Sequence, residues 1–193
     1  NTRFMYVLPI SSNKALVEYT LFSKELLDYS SYEAGIKAYL ERRGIGNYTI
    51  LRKEQGAIPM TVYPFSAHNS SKLINIGTNG GWTKPSTGYT FNNCSRKTLD
   101  LINALKGDSN LKRFDKITKF TFYDMLFLDV LSAQNKLGSV LFSKLFHKVD
   151  VKTLFRFLDD SSSFKEDLKI MTSVPSILFI RALIKRLFSF VTQ

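Results

Sequence analysis

Ile76-Gly77-Thr78-Asn79-Gly80-Gly81-Trp82-Thr83-Lys84-Pro85-Ser86-Thr87-Gly88-Tyr89 lies between a short apolar run, Leu73-Ile74-Asn75-Ile76, and a helical pattern from about Thr90 to Leu105. The run reads as a strand. The order strand, glycine-rich turn, helix brings bare backbone N–H groups up to an electron-rich ligand. Glycines in this order also serve a tight strand-to-helix turn that binds nothing, and the residues alone leave the two readings level. The usual dinucleotide fingerprint is missing. No G-x-G-x-x-G follows a strand, and Gly44-Ile45-Gly46 is too short and follows a helical pattern.

Working outward, the segments before and after the turn differ in kind. Phe4-Met5-Tyr6-Val7-Leu8 and Ala15 to Phe22 are rich in β-branched and aromatic residues, with turn-forming residues Pro9 to Lys14 between them, which predicts a hairpin. Ser30-Ser31-Tyr32-Glu33 reads as a capping box opening a helix that ends in Arg42-Arg43-Gly44. Tyr48 to Leu51 and Glu54 to Met60 read as a further strand broken at Gly56. After the turn, Phe91, Cys94, Thr98, Leu101, Ile102 and Leu105 form one apolar stripe. Beyond it the pattern is helical throughout: Phe120 to Leu131, Lys136 to His147, Val151 to Leu158, Phe164 to Met171 and Pro175 to Val191. Asp159 to Ser163 is a polar loop whose Ser163 caps the next helix.

Composition narrows the function. The 193 residues include 16 phenylalanines and nine tyrosines, enough for a Phe-rich core or for an aromatic-lined site holding a long apolar ligand. A lone cysteine, Cys94, rules out an internal disulfide and fits a reducing cytoplasm. His68 and His147 stand far apart without neighbouring ligand types, which argues against a metal site. The net charge of +11 is spread: residues 1–105 carry 12 basic and 7 acidic side chains, residues 106–193 carry 15 and 9. Nucleic acid and an anionic membrane surface both suit that excess, and the lack of any nucleic-acid motif ranks the membrane first. The apolar run from Val174 to Val191 is broken by Arg181, Lys185 and Arg186, so it reads as no membrane span. Its stripe Ile177, Ile180, Ile184, Leu187, Phe188, Val191, with Arg181 and Lys185 opposite, suits either a helix lying in a membrane interface or a helix packed on a core.

Glu18 is the candidate acid. On a pleated strand it shares a face with Leu16, Thr20 and Phe22. A carboxyl group on such an apolar face is held away from water, which favours its protonated form. An acid of that kind can protonate an unactivated double bond at neutral pH. Read alone, a solvent-facing glutamate paired with a lysine of its neighbour is the commoner outcome for a strand carboxylate.

Three ordered motifs resemble one family, the lycopene cyclases, flavoproteins that close the ends of a linear carotene into rings. Phe4-Met5-Tyr6-Val7-Leu8-Pro9 with Leu16-Val17-Glu18-Tyr19-Thr20 resembles the family's tyrosine-and-proline strand and its Phe-Leu-Glu-Glu-Thr strand. Glu54 to Met60 is similar to the Glu, then Ile-Pro-Met segment, and Gly77 to Tyr89 is similar to the flavin-facing turn. The resemblance covers roughly the first 105 residues. It places the catalytic acid on Glu18 and departs at Tyr19, where the family has a second glutamate. It implies flavin contacts at Gly77, Thr78, Gly80, Gly81, Pro85, Ser86, Thr87 and Gly88, with Thr78 where flavin hydroxylases carry an aspartate. Tyr6 and Phe22 would line the substrate.

The fold implied is α+β or α/β, the C-terminal portion of a Rossmann-type FAD flavoprotein. It would comprise substrate-domain strands and helix (1–72), the return strand, turn and helix of the FAD domain (73–107), and a helical C-terminal region (108–193), with the G-x-G-x-x-G segment lying upstream. The implied reaction is cyclisation of lycopene to β-ionone rings with reduced FAD, NAD(P)H supplying its electrons, and no metal. The isolated chain would then be inactive. A flavin monooxygenase or isoprenoid reductase of the same architecture is the rival enzyme, and a non-catalytic membrane-surface binding protein the rival from another class. A cytoplasmic protein held at the membrane periphery is the implied location.

Overall fold

Alternating apolar residues over 2–22 form the expected hairpin. In the computed structural model, which describes residues 1–107 and 109–191 with side chains through Phe188, strand β1 (Thr2–Ser11) pairs antiparallel with β2 (Lys14–Phe22). The register sets Tyr6 opposite Glu18, Phe4 opposite Thr20 and Thr2 opposite Phe22, with an irregularity between Pro9 and Ser11. Both strands are edges, so Pro9 costs the ladder little. No other strand is present among the described residues.

One sheet face is covered by helix α1 (Tyr29–Arg42). Gly35 lies so close to the Tyr19 ring that a Cβ there would stand 2.7 Å from Tyr19 Cδ1, and Tyr19 also meets Tyr32 edge-on at 6.2 Å between centroids. The helix starts two residues earlier than the capping box predicts: Asp28 is the N-cap and accepts from the Ser31 backbone N–H at 2.7 Å. A carboxylate outcompetes the Ser30 hydroxyl, which instead donates to Asp28 at 2.6 Å. At the other end Gly44 N–H bonds the Glu41 carbonyl at 2.9 Å and Ile45 N–H the Leu40 carbonyl at 3.0 Å. With Gly44 at φ +72° this is a Schellman closure, which needs a residue free of Cβ strain.

The sequence reading of strands over Tyr48 to Leu51, Glu54 to Met60 and Leu73 to Ile76 is corrected. These segments carry no ladder. A strand exists only through a partner's hydrogen bonds, and no described segment supplies one. Lys53 is held instead by Glu33 and by the Tyr29 ring, 5.9 Å from its centroid.

The chain packs as two units, residues 1–57 with 134–139, and 58–133 with 140–193. The first unit is the hairpin, α1 and a returning segment. There Asn135 Nδ2 donates to the Phe22 carbonyl at 2.7 Å, and Thr2 bonds Asn135 through both its backbone N–H and its hydroxyl.

The second unit holds helices α2 (Phe91–Lys106), α3 (Lys119–Ala133), α5 (Val151–Leu158), α6 (Phe164–Ser173), α7 (Ser176–Val191) and most of α4 (Gly138–Lys148). Its core joins Val130 of α3, Leu141 and Leu145 of α4, Val149, Leu154 of α5, Ile170 of α6 and Val174. Leu178, Phe179 and Ala182 of α7 pack against it. Arg186 pairs with Asp129 of α3, its Nη2 donating at 2.9 Å. The face of α7 read from periodicity is the other one: Ile177, Ile180, Ile184, Leu187 and Phe188 are exposed. Val191 belongs to the same stripe, but its side chain lies outside the described residues. Likewise in α2, Phe91, Ile102 and Leu105 of the predicted stripe are exposed, while Asn93 is buried.

Candidate functional site

Gly77 to Gly80 wind into one 3₁₀ turn, closed by Gly81 N–H to the Thr78 carbonyl at 3.1 Å and Trp82 N–H to the Gly77 carbonyl at 2.9 Å. The glycines serve different ends. Gly80 is needed by the fold itself, because a Cβ there would run into the Asn75 carbonyl oxygen. Gly77, Gly81 and Gly88 hold left-handed backbone at φ +60°, +69° and +74°. Beside Gly77 there is open space, with no atom within 4 Å of where a Cβ would stand. Trp82 beneath the turn is 3% exposed and anchors it.

From Thr83 the chain dives inward. Lys84 N–H bonds the Tyr89 carbonyl at 2.8 Å and Gly88 N–H the Lys84 carbonyl at 2.9 Å, so residues 84–89 form a closed loop. At its centre Lys84 is wholly buried. Its Nζ donates to Asp124 at 3.2 Å and to Asp160 at 2.6 Å, and lies 5.6 and 5.4 Å from the Phe120 and Phe157 ring centroids. The Ser86 hydroxyl donates to Asp124 at 2.5 Å. Burial pushes the Asp124 carboxyl up, against the pull of the Lys84 charge and the Ser86 hydrogen bond. A buried ammonium shared by two carboxylates, one of which also accepts from a hydroxyl, is a paired charge, the condition under which a charge tolerates a dry interior.

The loop delivers the chain to the start of α2. Thr90 is the N-cap, but its side chain makes no cap bond. It donates to the Gly88 carbonyl at 2.8 Å, and no acidic residue occupies the first turn. Helix N–H groups and a partial positive charge are thus left for an outside acceptor. These observations answer whether the residues fit a flavin. Gly77 leaves room for close approach, and the first turn of α2 carries no carboxylate of its own. Thr78 is exposed, its hydroxyl 3.4 Å from that of Thr83. The side chain of Ser86 is committed inward, which leaves only its backbone for a ligand. Pro85, Thr87 and Gly88 are half-buried.

Glu18, Tyr6 and Phe22 share one face of the hairpin, as the alternation predicts. The environment differs from the expectation. Glu18 is exposed and accepts a 2.7 Å bond from the Thr20 hydroxyl. Phe4, Tyr6, Leu8 and Leu16 around it are each 43–48% exposed. A two-stranded ribbon covered by α1 on one side leaves the other side bare. Phe22, at the base of the ribbon, is 6% exposed and packs on Phe4 with ring centroids 5.9 Å apart. Glu18 belongs to the first unit and the turn to the second. Tyr19 lies on the α1 side, away from Glu18.

Lys84, Asp124 and Asp160 escaped the sequence reading. A lysine beside a proline reads as surface, and nothing in helical periodicity tells a core aspartate from a solvated one. The available signal was Asp124 standing in the apolar run Phe120 to Leu131.

An aromatic hairpin carrying one carboxyl and a glycine-rich turn opening a helix are the two elements that carry the candidate site residues. Residues 1–184 match the model of the lycopene cyclase protein family, and the chain belongs to that family. It is similar to the lycopene beta-cyclase of Pantoea ananas, with 33% identity over 92 residues. That match takes in 46% of this chain and 24% of the relative, so the chain matches about a quarter of that relative's length. No solved structure matches the chain. Among the described residues, no helix is long and apolar enough to cross a membrane, and no three metal-ligating side chains cluster.

Proposed function

We propose that the chain is the C-terminal portion of a lycopene β-cyclase, a Rossmann-type FAD flavoprotein that closes the ends of lycopene into β-ionone rings. The observation that supports it most is the family match over residues 1–184 together with Glu18 on an aromatic strand face opposite Tyr6. Glu18 supplies the proton to a terminal double bond of the carotene. A neighbouring double bond attacks the resulting cation, closing the ring, and a ring proton is then lost, so the step involves no net oxidation. Tyr6 and Phe4 give the cation a π-rich wall. When bound, reduced FAD, its electrons taken from NAD(P)H, would supply negative charge that stabilises the cation. Gly77, Thr78, Gly80, Gly81 and the backbone of Pro85 to Gly88 would hold it, with the N-terminus of α2 favouring its reduced, anionic form. In the complete protein the open face around Glu18 meets substrate and is dry, as protonation of an alkene requires.

Glu18→Gln in the full-length protein tests this. It keeps the side chain's size but cannot donate a proton of like acidity. Ring formation should fall by about 10²–10⁴-fold or more, the usual worth of general acid catalysis, with FAD content unchanged. Tyr19→Phe should be far milder. A Glu18→Gln enzyme within a few-fold of the parent would move the acid elsewhere.

A further inference from the structure

We propose that Lys84, Asp124 and Asp160 are positioning residues: a buried lock that fixes the glycine-rich turn against α3 and the α5–α6 loop, and so sets where its backbone meets the flavin. The inference rests on the reading of the turn as a flavin site and extends it to residues that touch no ligand.

Four observations carry it. The lock is built, with Lys84 fully buried and each of its partners within 3.2 Å. It grips the turn at two points, the Lys84 ammonium and the Ser86 hydroxyl, and both bonds converge on the same Asp124 carboxylate. Asp160 reaches Lys84 from a left-handed backbone at φ +53°, the one non-glycine residue in that region among those described. Such a conformation persists where its surroundings over-determine it. Finally, the same loop holds the other end of the site. Arg96 of α2 donates to the Asp159 carbonyl, and Asn92 to the Asp159 carboxylate at 3.4 Å. The turn before α2 and the first turns of α2 itself are therefore referred to one rigid loop. That loop is tied down by Lys119, which donates to the Ser162 carbonyl at 2.9 Å, and by the Ser162 hydroxyl, which donates to Asp167 at 2.6 Å.

A lock of this kind has a signature that plain stability lacks. Ser86 acts through Asp124, so removing both should misplace the turn no more than removing Asp124 alone. The experiment uses the full-length flavoprotein, stripped of FAD and titrated with it, following flavin fluorescence and the circular dichroism of the bound flavin. Ser86→Ala and Asp124→Asn should each weaken FAD binding by about three- to tenfold, the span of one net hydrogen bond, and alter the flavin dichroism. The double variant should bind no more weakly than the poorer single variant. Losses that add, or singles with parental affinity and dichroism whatever their melting temperatures, overturn the lock. If Asp124→Asn does not fold, Lys84→Met/Asp124→Leu, an apolar pair of similar volume, takes its place in the cycle. Parental FAD affinity in that variant would equally overturn the lock. A parent protein that binds no FAD would instead remove the flavin reading itself.

Discussion

Gly80 and Gly77 are three residues apart and are glycine for unlike reasons. At Gly80 the obstruction is the protein's own Asn75 carbonyl, so Gly80→Ala should destabilise the fold before any ligand is considered. At Gly77 there is space but a positive φ, and Gly77→Ala should cost about 1–2 kcal/mol of backbone strain. Thermal melts of the two variants check this order; equal melting temperatures would refute it. For the same reason Gly77, with a bulkier residue such as valine, is the cleaner probe of close flavin approach. Its FAD affinity should fall by far more than its stability accounts for. In the core, Leu141 is 1% exposed, and Leu141→Ala should cost about 2–5 kcal/mol in chemical denaturation of the full-length protein.

At the scale of elements, helix α6 carries the most explicit local signal. Ser163 accepts from the Glu166 backbone N–H, and the Glu166 carboxylate accepts from Ser163 N–H at 2.8 Å and from Arg156 Nε at 2.8 Å. Arg156 foremost, then Ser163, holds the Glu166 carboxyl at about 2, below its ordinary 4.5. A lowered folded value means stability that is present above 4.5 and lost as pH falls towards 2. The start of α6 should thus loosen over that window, and Glu166→Gln should flatten the pH dependence of its amide exchange. An unchanged profile would contradict the assignment. Local signals were legible in the sequence: the Ser163 cap, the Gly44 closure, and every helix from Phe120 to Val191. The strands over 48–60 and 73–76 were not, because extended backbone becomes a strand only when a partner arrives from elsewhere. Glu18's face followed from alternation, whereas its exposure depends on what covers the ribbon. Lys84 and Asp124 are 40 residues apart, beyond any local pattern.

For the whole molecule, the net charge of +11 meets an exposed apolar stripe on α7, the face turned away from Leu178, Phe179 and Ala182. We propose that this face rests in the headgroup region of an anionic membrane. Replacing Ile180 and Ile184 together with serine should weaken binding to anionic vesicles, and high salt should weaken it in the parent. Vesicle binding indifferent to both changes would remove this surface from the account.

The first unit is completed by residues 134–139, so its chain is not contiguous. Within it the Phe22 carbonyl accepts from Asn135, 113 residues further along the chain. On a ribosome adding about 5–20 residues per second, that interval is on the order of ten seconds. Throughout it the aromatic hairpin has emerged without the returning segment at its base. Nascent chains arrested before Asn135 should therefore be the ones that chaperones capture and proteases cut, and the timing of synthesis, as much as the strength of any contact, sets how long the hairpin goes without that segment.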